Sequence, residues 1–329
     1  MEHVRLGTTG LRVSRICLGT MTFGLQCDEP TSRAILDRAT EGGVTFIDTA
    51  DVYPLGGGLE TVGRTEEIIG RWLEGRRHDV VLATKCVGAM GLHPWDQGAG
   101  RRHILDAVHA SLRRLRTDFI DLYQLHMLDT DTPVDETLEA LDVLLRSGDV
   151  RYIGCSNWPA WRIARALGRS EVLGLGGFSS VQPRYNLLFR EMERELLPMC
   201  GHEGLGVIPY NPIAGGMLSG KHQRTAPTEG TRFTLGNAAA LYQQRYWQER
   251  AFDTVEALAG VAAEAGLALP TMAVAWVLSN PVITAPIVGA SRPEQLDATL
   301  AAAEVKLDGA VLARLDELTR QYRQGDWDR

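Results

Sequence analysis

The chain has 329 residues, 44% of them hydrophobic and 23% charged, which is enough for a large core in one or two domains. A formal charge of −7 argues against a general nucleic-acid binder, whose phosphate contacts need a concentrated basic face. No run approaches the roughly 20 apolar residues of a bilayer span, and the start lacks the apolar stretch of a signal peptide, so a cytoplasmic protein without membrane contact is expected.

The first predicted element is a hairpin over 4–6 and 11–13, turned by Gly7-Thr8-Thr9-Gly10. Short apolar runs then alternate with longer amphipathic ones. Strands are predicted at 16–18, 45–48, 80–84, 119–124, 152–155, 179–182, 206–210 and 284–288. Helices are predicted near 31–42, 64–74, 102–115, 134–147, 159–168, 191–203, 247–265 and 293–302. Eight strands each followed by a helix predict a closed parallel (β/α)8 barrel in α/β class, with an open doubly wound sheet as the rival. The whole chain reads as one domain: hairpin about 4–13, barrel about 16–302, and a C-terminal helix and tail about 308–329. Asp135 and Glu136 suit the start of the fourth helix, and Gly148 its end. The stretch 213–244, with Gly215, Gly216, Gly220, Pro227, Gly230 and Gly236, reads as a long loop. The tail after Arg320 has no packing period; it either folds over a site or frays. Arg113, Arg114 and Arg116 read as a solvated helix face. The five scattered cysteines, Cys17, Cys27, Cys86, Cys155 and Cys200, read as reduced core thiols, and no metal site is expected.

Active sites of such barrels form at the C-terminal ends of the strands. The second barrel strand ends in Asp48, with Tyr53 five residues on; the third runs into Lys85, and the fourth into His126. Each alone has an ordinary structural explanation, but four coincidences at matching strand ends are much less frequent than one. Together they suit reduction of a carbonyl, whose oxygen gains negative charge as hydride arrives. A free tyrosine has a pKa of about 10, and a nearby ammonium is expected to lower it, with a carboxylate holding the ammonium in place. Neutral His126 can orient and polarise the carbonyl oxygen.

The segments 46–53 (FIDTADVY), 83–85 (ATK), 118–126 (DFIDLYQLH) and 153–157 (IGCSN) resemble the aldo-keto reductases over about Arg5 to Arg320. The run 111–123 is similar to bacterial branches that include deoxysugar ketoreductases and broad-specificity reductases. The resemblance implies a (β/α)8 barrel and NADPH as the usual cofactor, with NADH possible. It implies a small-molecule carbonyl substrate and the tetrad Asp48, Tyr53, Lys85 and His126. Gly19, Thr20 and Met21 match the segment along the nicotinamide and its ribose; Ser156, Asn157 and Gln182 match the carboxamide binders; Tyr210 matches the ring that stacks on the nicotinamide. Asn211, Pro212, Ile213, Gly215, Leu218, Gly220 and Lys221 fall in the run resembling the pyrophosphate loop. Gly289, Ser291, Arg292 and Gln295 resemble the adenosine 2′-phosphate site, with Arg292 as the phosphate partner. The family's usual Glu-Asn pair at the adenine is replaced here by Ala298 and Thr299. Gly215 to Lys221 also fits the start of a P-loop, but His222 replaces its Ser/Thr, and no Gly-x-Gly-x-x-Gly follows the first strand. Phe23, Trp95 and Trp158, beside Met21, are expected to wall the substrate pocket. The rival function is a cofactor-sensing regulatory subunit similar to the potassium-channel β subunits. The sequence yields no reading of oligomeric state.

Overall fold

Two short antiparallel strands, β1 (His3–Arg5) and β2 (Arg12–Ser14), open the computed structural model, which describes residues 1–323. Eight parallel strands follow: β3 (Cys17–Gly19), β4 (Phe46–Asp48), β5 (Val81–Cys86), β6 (Ile120–Leu125), β7 (Val150–Ser156), β8 (Ser180–Gln182), β9 (Gly206–Val207) and β10 (Ile287–Val288). They lie in sequence order, with β10 returning beside β3. Parallel bridges from Val207 to Ile283 and from Tyr210 to Ile287 join the remaining edges, so the sheet closes. The fold is the (β/α)8 barrel, not the open sheet.

The outer layer comprises α1 (Glu29–Glu41), α2 (Arg64–Trp72), α3 (Arg101–Leu115), α4 (Val134–Ser147), α5 (Ala160–Leu173), α6 (Leu196–Glu203), α7 (Ala239–Tyr246), α8 (Glu249–Glu264), α9 (Leu269–Ser279), α10 (Gln295–Leu300) and α11 (Gly309–Thr319). Local chemistry explains their ends. Asp28 accepts a hydrogen bond from the Thr31 amide and Pro30 occupies the first turn of α1, a cap worth about 1 kcal/mol. Acids Asp135 and Glu136 open α4, and Gly148 closes it at φ 84°, where a side chain would be strained. In α3, Ile104, Ala107, Val108, Ser111 and Leu115 recur at helical spacing and face the barrel.

The main core lies between strands and helices, while a second, smaller one fills the barrel floor. There Leu6 and Val13 of the hairpin region pack on Cys17, Phe46, Ala83, Leu122, Ile208 and Ala285. The Thr8 amide donates to the Gly204 carbonyl (2.9 Å), tying the hairpin turn beneath β9.

Several expectations need correction. The stretch 213–244 is not all loop: it contains a short 3-10 segment at Ala214–Ser219, another at Gly236–Ala238 and the first turns of α7. Helix α9 was absent from the predicted set because it is apolar almost all round, so it carries no periodic signal. The strands predicted at 206–210 and 284–288 shorten to two residues each. Arg114 is not on a solvated face, since its guanidinium pairs with the buried Glu66 carboxylate (2.7 Å). Tyr322 of the tail is buried, and its carbonyl accepts from the Arg190 amide (3.0 Å); the rest of the tail, 324–329, lies outside the described residues. All five cysteines are buried and free. No single helix among the described residues is long and apolar enough to cross a membrane. Together α8 and α9 are apolar enough, but they bend by 90° and pack into the core.

Candidate active site

Strand register brings polar side chains together. Asp48 at the end of β4 pairs with Gly19 and Ala83, Lys85 with Gln124, Gln124 with Gly154, and Gln182 with Ser156. Because side chains alternate along a strand, these neighbours point into the barrel at its C-terminal end. Lys85 Nζ donates to Asp48 Oδ1 (2.5 Å) and to the Thr49 carbonyl (2.7 Å). Asp48 Oδ2 accepts from Gln124 Nε2 (3.0 Å) and Gln182 Nε2 (2.9 Å). The ion pair is fully buried, but its carboxylate is saturated with donors, the condition under which such a pair persists.

Tyr53 follows β4 after one turn, with its amide bonded to the Ala50 carbonyl (3.2 Å). Lys85 Nζ lies 5.0 Å from its ring centre, and the His126 ring meets it edge-on at 5.6 Å. From the sequence, the ammonium is expected to lower the phenol's pKa. Burial outweighs Lys85 here, with Asp48 adding to it, and the pKa lies above the ordinary value. Burial, and then the Lys85 charge, push His126 down to about 3, so its ring is neutral at physiological pH. Burial alone would depress Lys85, but Asp48 and Tyr53 outweigh it and hold the ammonium charged.

Below Tyr53 lies a second polar group. Asp51 is fully buried with no side-chain hydrogen bond, and burial followed by the nearby Glu66 carboxylate raises its pKa well above the usual range. Glu66 itself is held by Thr84 Oγ1 (2.6 Å) and Arg114.

A cavity of about 900 Å³ opens over this end of the barrel, near the upper limit for small-molecule and cofactor sites. Asp48, Tyr53 and His126 line one end of it. Of the expected cofactor residues, Gly19, Thr20, Met21, Ser156, Asn157, Gln182, Tyr210, Asn211, Pro212, Ile213, Gly215, Lys221, Gly289, Ser291, Arg292 and Gln295 all line it. Leu218 and Gly220 do not: Leu218 is packed in the core, and Gly220 ends the turn behind the wall. Gly215 and Gly216 adopt φ 69° and 104°, and a Cβ on Gly215 would come within 2.6 Å of the Tyr242 ring. Tyr210 OH donates to Asn157 Oδ1 (2.9 Å), whose Nδ2 donates to the His126 carbonyl (3.1 Å). Gln295 Oε1 accepts from the Ser291 amide (2.9 Å), which fixes the turn carrying Arg292.

The three expected pocket walls are elsewhere. Phe23 is fully buried in the core, Trp158 packs edge-on against Phe178 (5.5 Å), and Trp95 stacks on His93 (4.9 Å) beside Arg102; none lines the cavity. The apolar walls are instead Val52, Leu55, Leu59, Val62, Met127 and Leu241. Sequence reasoning also missed Gln124, although it stands in β6 two residues before His126 and beside Lys85 in the register. Arg232 was hidden in the presumed loop; it contacts Met21 Sδ and Tyr242 OH, each at 3.1 Å, across the cavity. Among the described residues no cluster of potential metal ligands exists.

The model of the Aldo/keto reductase family matches residues 15–320. The chain is 41% identical over 326 residues to Uncharacterized oxidoreductase YrpG of Bacillus subtilis (strain 168), covering 97% of this chain and 96% of that protein. It is 36% identical over 325 residues to a Probable voltage-gated potassium channel subunit beta of Arabidopsis thaliana, covering 97% and 96%. With Versiconal hemiacetal acetate reductase of Aspergillus parasiticus it shares 34% identity over 345 residues, covering 96% of each.

Proposed function

The chain belongs to the aldo/keto reductase family of NAD(P)H-dependent oxidoreductases, and from that premise we propose that it reduces aldehydes or ketones to alcohols with NADPH, using Tyr53 as the proton donor. The cavity suits such a cofactor. Its lining combines the glycine turn at 215–216 with the cations Lys221 and Arg292, while Arg232 bridges Met21 and Tyr242 and an Asn211 amide nitrogen has no partner among the described residues. When bound, the reduced nicotinamide supplies the hydride that adds to the carbonyl carbon.

The protein's own groups handle the oxygen. Its raised pKa keeps Tyr53 protonated at neutral pH, so the phenol can give its proton to the carbonyl oxygen. The phenolate left behind faces the Lys85 ammonium, which is held by Asp48, itself fixed by Gln124 and Gln182. The role of Lys85 in this reading is to receive that charge, not to lower the resting pKa of the phenol. Neutral His126 donates a hydrogen bond to the same oxygen and orients the carbonyl. Arg292, exposed at the cavity edge, binds the 2′-phosphate and favours NADPH over NADH.

The observation that carries this reading is the meeting of Tyr53, His126 and the Lys85–Asp48 pair at one end of a cavity whose lining is also rich in cations and glycine. Loss of NADPH absorbance over a panel of aldehydes, α-diketones, keto-sugars and aromatic ketones tests it. Tyr53→Phe should cut turnover by about 10²–10⁴-fold while leaving NADPH affinity nearly intact. Turnover like the wild type's would remove Tyr53 as the acid. The identity with the channel β subunit favours a second reading, a nicotinamide-sensing regulatory subunit. Tight NADPH binding with no turnover over the whole panel would favour that reading instead.

A further inference from the structure

The substrate end of the cavity carries a charge that the reduction does not use. On α7, Leu241 and Arg245 are four residues apart and share one face, which with Tyr242 lines the cavity. Among the described residues no acid forms an ion pair with Arg245. Among the described residues the lining contains two acids, and both are remote or spent: Asp48 is bound to Lys85, while Glu294 flanks Arg292 at the start of α10. A second guanidinium is close by. Arg184 stacks over Phe189 at 3.4 Å, likewise forms no ion pair among the described residues, and has its pKa lowered by burial and further by the charge of Arg245. Both arginines act on the Tyr210 hydroxyl, whose pKa burial raises and these two charges pull back. Two like charges without a counter-ion are held together at a cost that an anion would relieve.

The cofactor does not account for them. On the proposed reading its phosphates, three at most, have three other cations in the lining to meet them, Lys221, Arg232 and Arg292. Arg245 instead reaches Tyr210, which connects through Asn157 to the His126 backbone, and so it stands on the side of the proton donor. The walls between are apolar, and two of them, Leu59 and Met127, leave 41% and 46% of their surface exposed at the mouth. Apolar exposure of this kind at a cavity rim favours a ligand with an apolar body.

We propose that the pocket selects aldehydes or ketones whose apolar body carries a carboxylate, and that Arg245, backed by Arg184, binds that carboxylate. This rests on the carbonyl-reductase reading, but the anion site can be tested apart from it. A guanidinium–carboxylate contact is charge-assisted and bidentate, and such contacts typically change affinity by about tenfold or more.

The test compares 4-carboxybenzaldehyde with benzaldehyde, each with NADPH, in the wild type, Arg245→Leu and Arg245→Lys. Alongside it, benzoate and benzamide are titrated calorimetrically into the NADPH-loaded proteins. The wild type should favour the carboxylated aldehyde in kcat/KM by about tenfold or more, through KM, and the preference should fall as salt rises. Arg245→Leu should lose the preference and Arg245→Lys should keep most of it. Benzoate should bind the wild type more tightly than benzamide does, and lose that advantage in Arg245→Leu. Equal kcat/KM for the two aldehydes in the wild type, or a ratio unchanged in Arg245→Leu, overturns the proposal. If neither aldehyde is reduced yet benzoate binding depends on Arg245, the anion site stands and the reductase reading falls.

Discussion

Replacing Lys85 with methionine keeps the length of the side chain and removes its charge. Asp48 is then left almost fully buried, with two amide donors and no cation. Stripping one partner from a buried ion pair typically costs about 3–5 kcal/mol. The carboxylate can escape by taking up a proton, which at pH 7 costs about 4 kcal/mol for a carboxyl of ordinary pKa about 3.9, so the loss should settle near that figure. Its sign with pH follows from the same step. The folded variant holds a proton that the unfolded chain releases above about pH 4, so the deficit grows with pH by about 1.4 kcal/mol per unit and shrinks to about 1.5 kcal/mol at pH 5. Urea unfolding followed by tryptophan fluorescence, at several pH values between about 5 and 7, measures this directly. Lys85→Met/Asp48→Asn, which carries neither charge, should recover most of the loss at pH 7. A deficit that does not vary with pH, or a double variant as unstable as Lys85→Met alone, would refute the reasoning.

Other outcomes follow from the same geometry. Arg292→Ala should weaken NADPH by about 10–100-fold and NADH far less, read by fluorescence titration; equal losses for the two would reject the 2′-phosphate role. Since His126 is held neutral down to about pH 3, kcat/KM for reduction should show no histidine inflection between about pH 5 and 8. An inflection near pH 6.5 that vanishes in His126→Asn contradicts that placement. Asp51, whose folded pKa is raised, contributes stability that is full below its unfolded pKa of about 3.9 and is lost as pH rises toward the folded value. Asp51→Asn should therefore be more stable than the wild type at neutral pH by about 1–3 kcal/mol, with the gain fading toward pH 4; a gain that persists there would sink the idea.

Much of the site was legible because a strand projects alternate residues to one side. Once 45–48, 80–84 and 119–124 are read as parallel neighbours, Asp48, Lys85 and His126 must approach one another, and the structure brings them together. What the sequence concealed was environment rather than position. It places an ammonium beside Tyr53 but not the burial that outweighs it. Arg114 looks like one more surface arginine until Glu66 of α2 is found buried beneath it. Helix α9 escaped because a helix covered on every side has no polar stripe, and α7 because its residues up to Gln244 read as loop next to the glycines. The aromatic pocket walls were expected from residue type alone. Phe23 and Trp158 serve the core because large rings bury more area there than at a rim.

The hairpin that closes the barrel floor has a consequence for traffic. With Leu6 and Val13 sealing the far end, the interior is a blind well, and everything that enters must leave by the way it came. On the proposed reading the nicotinamide end of the cofactor lies deepest, against Gly19 and Asp48, with the carbonyl compound above it and Leu59 and Met127 at the rim, while the adenosine end reaches the surface at Arg292. A cofactor covered in this way at its nicotinamide cannot leave before the product above it. Turnover should be ordered, with the dinucleotide first in and last out, so NADP+ should inhibit competitively against NADPH and the alcohol product should not.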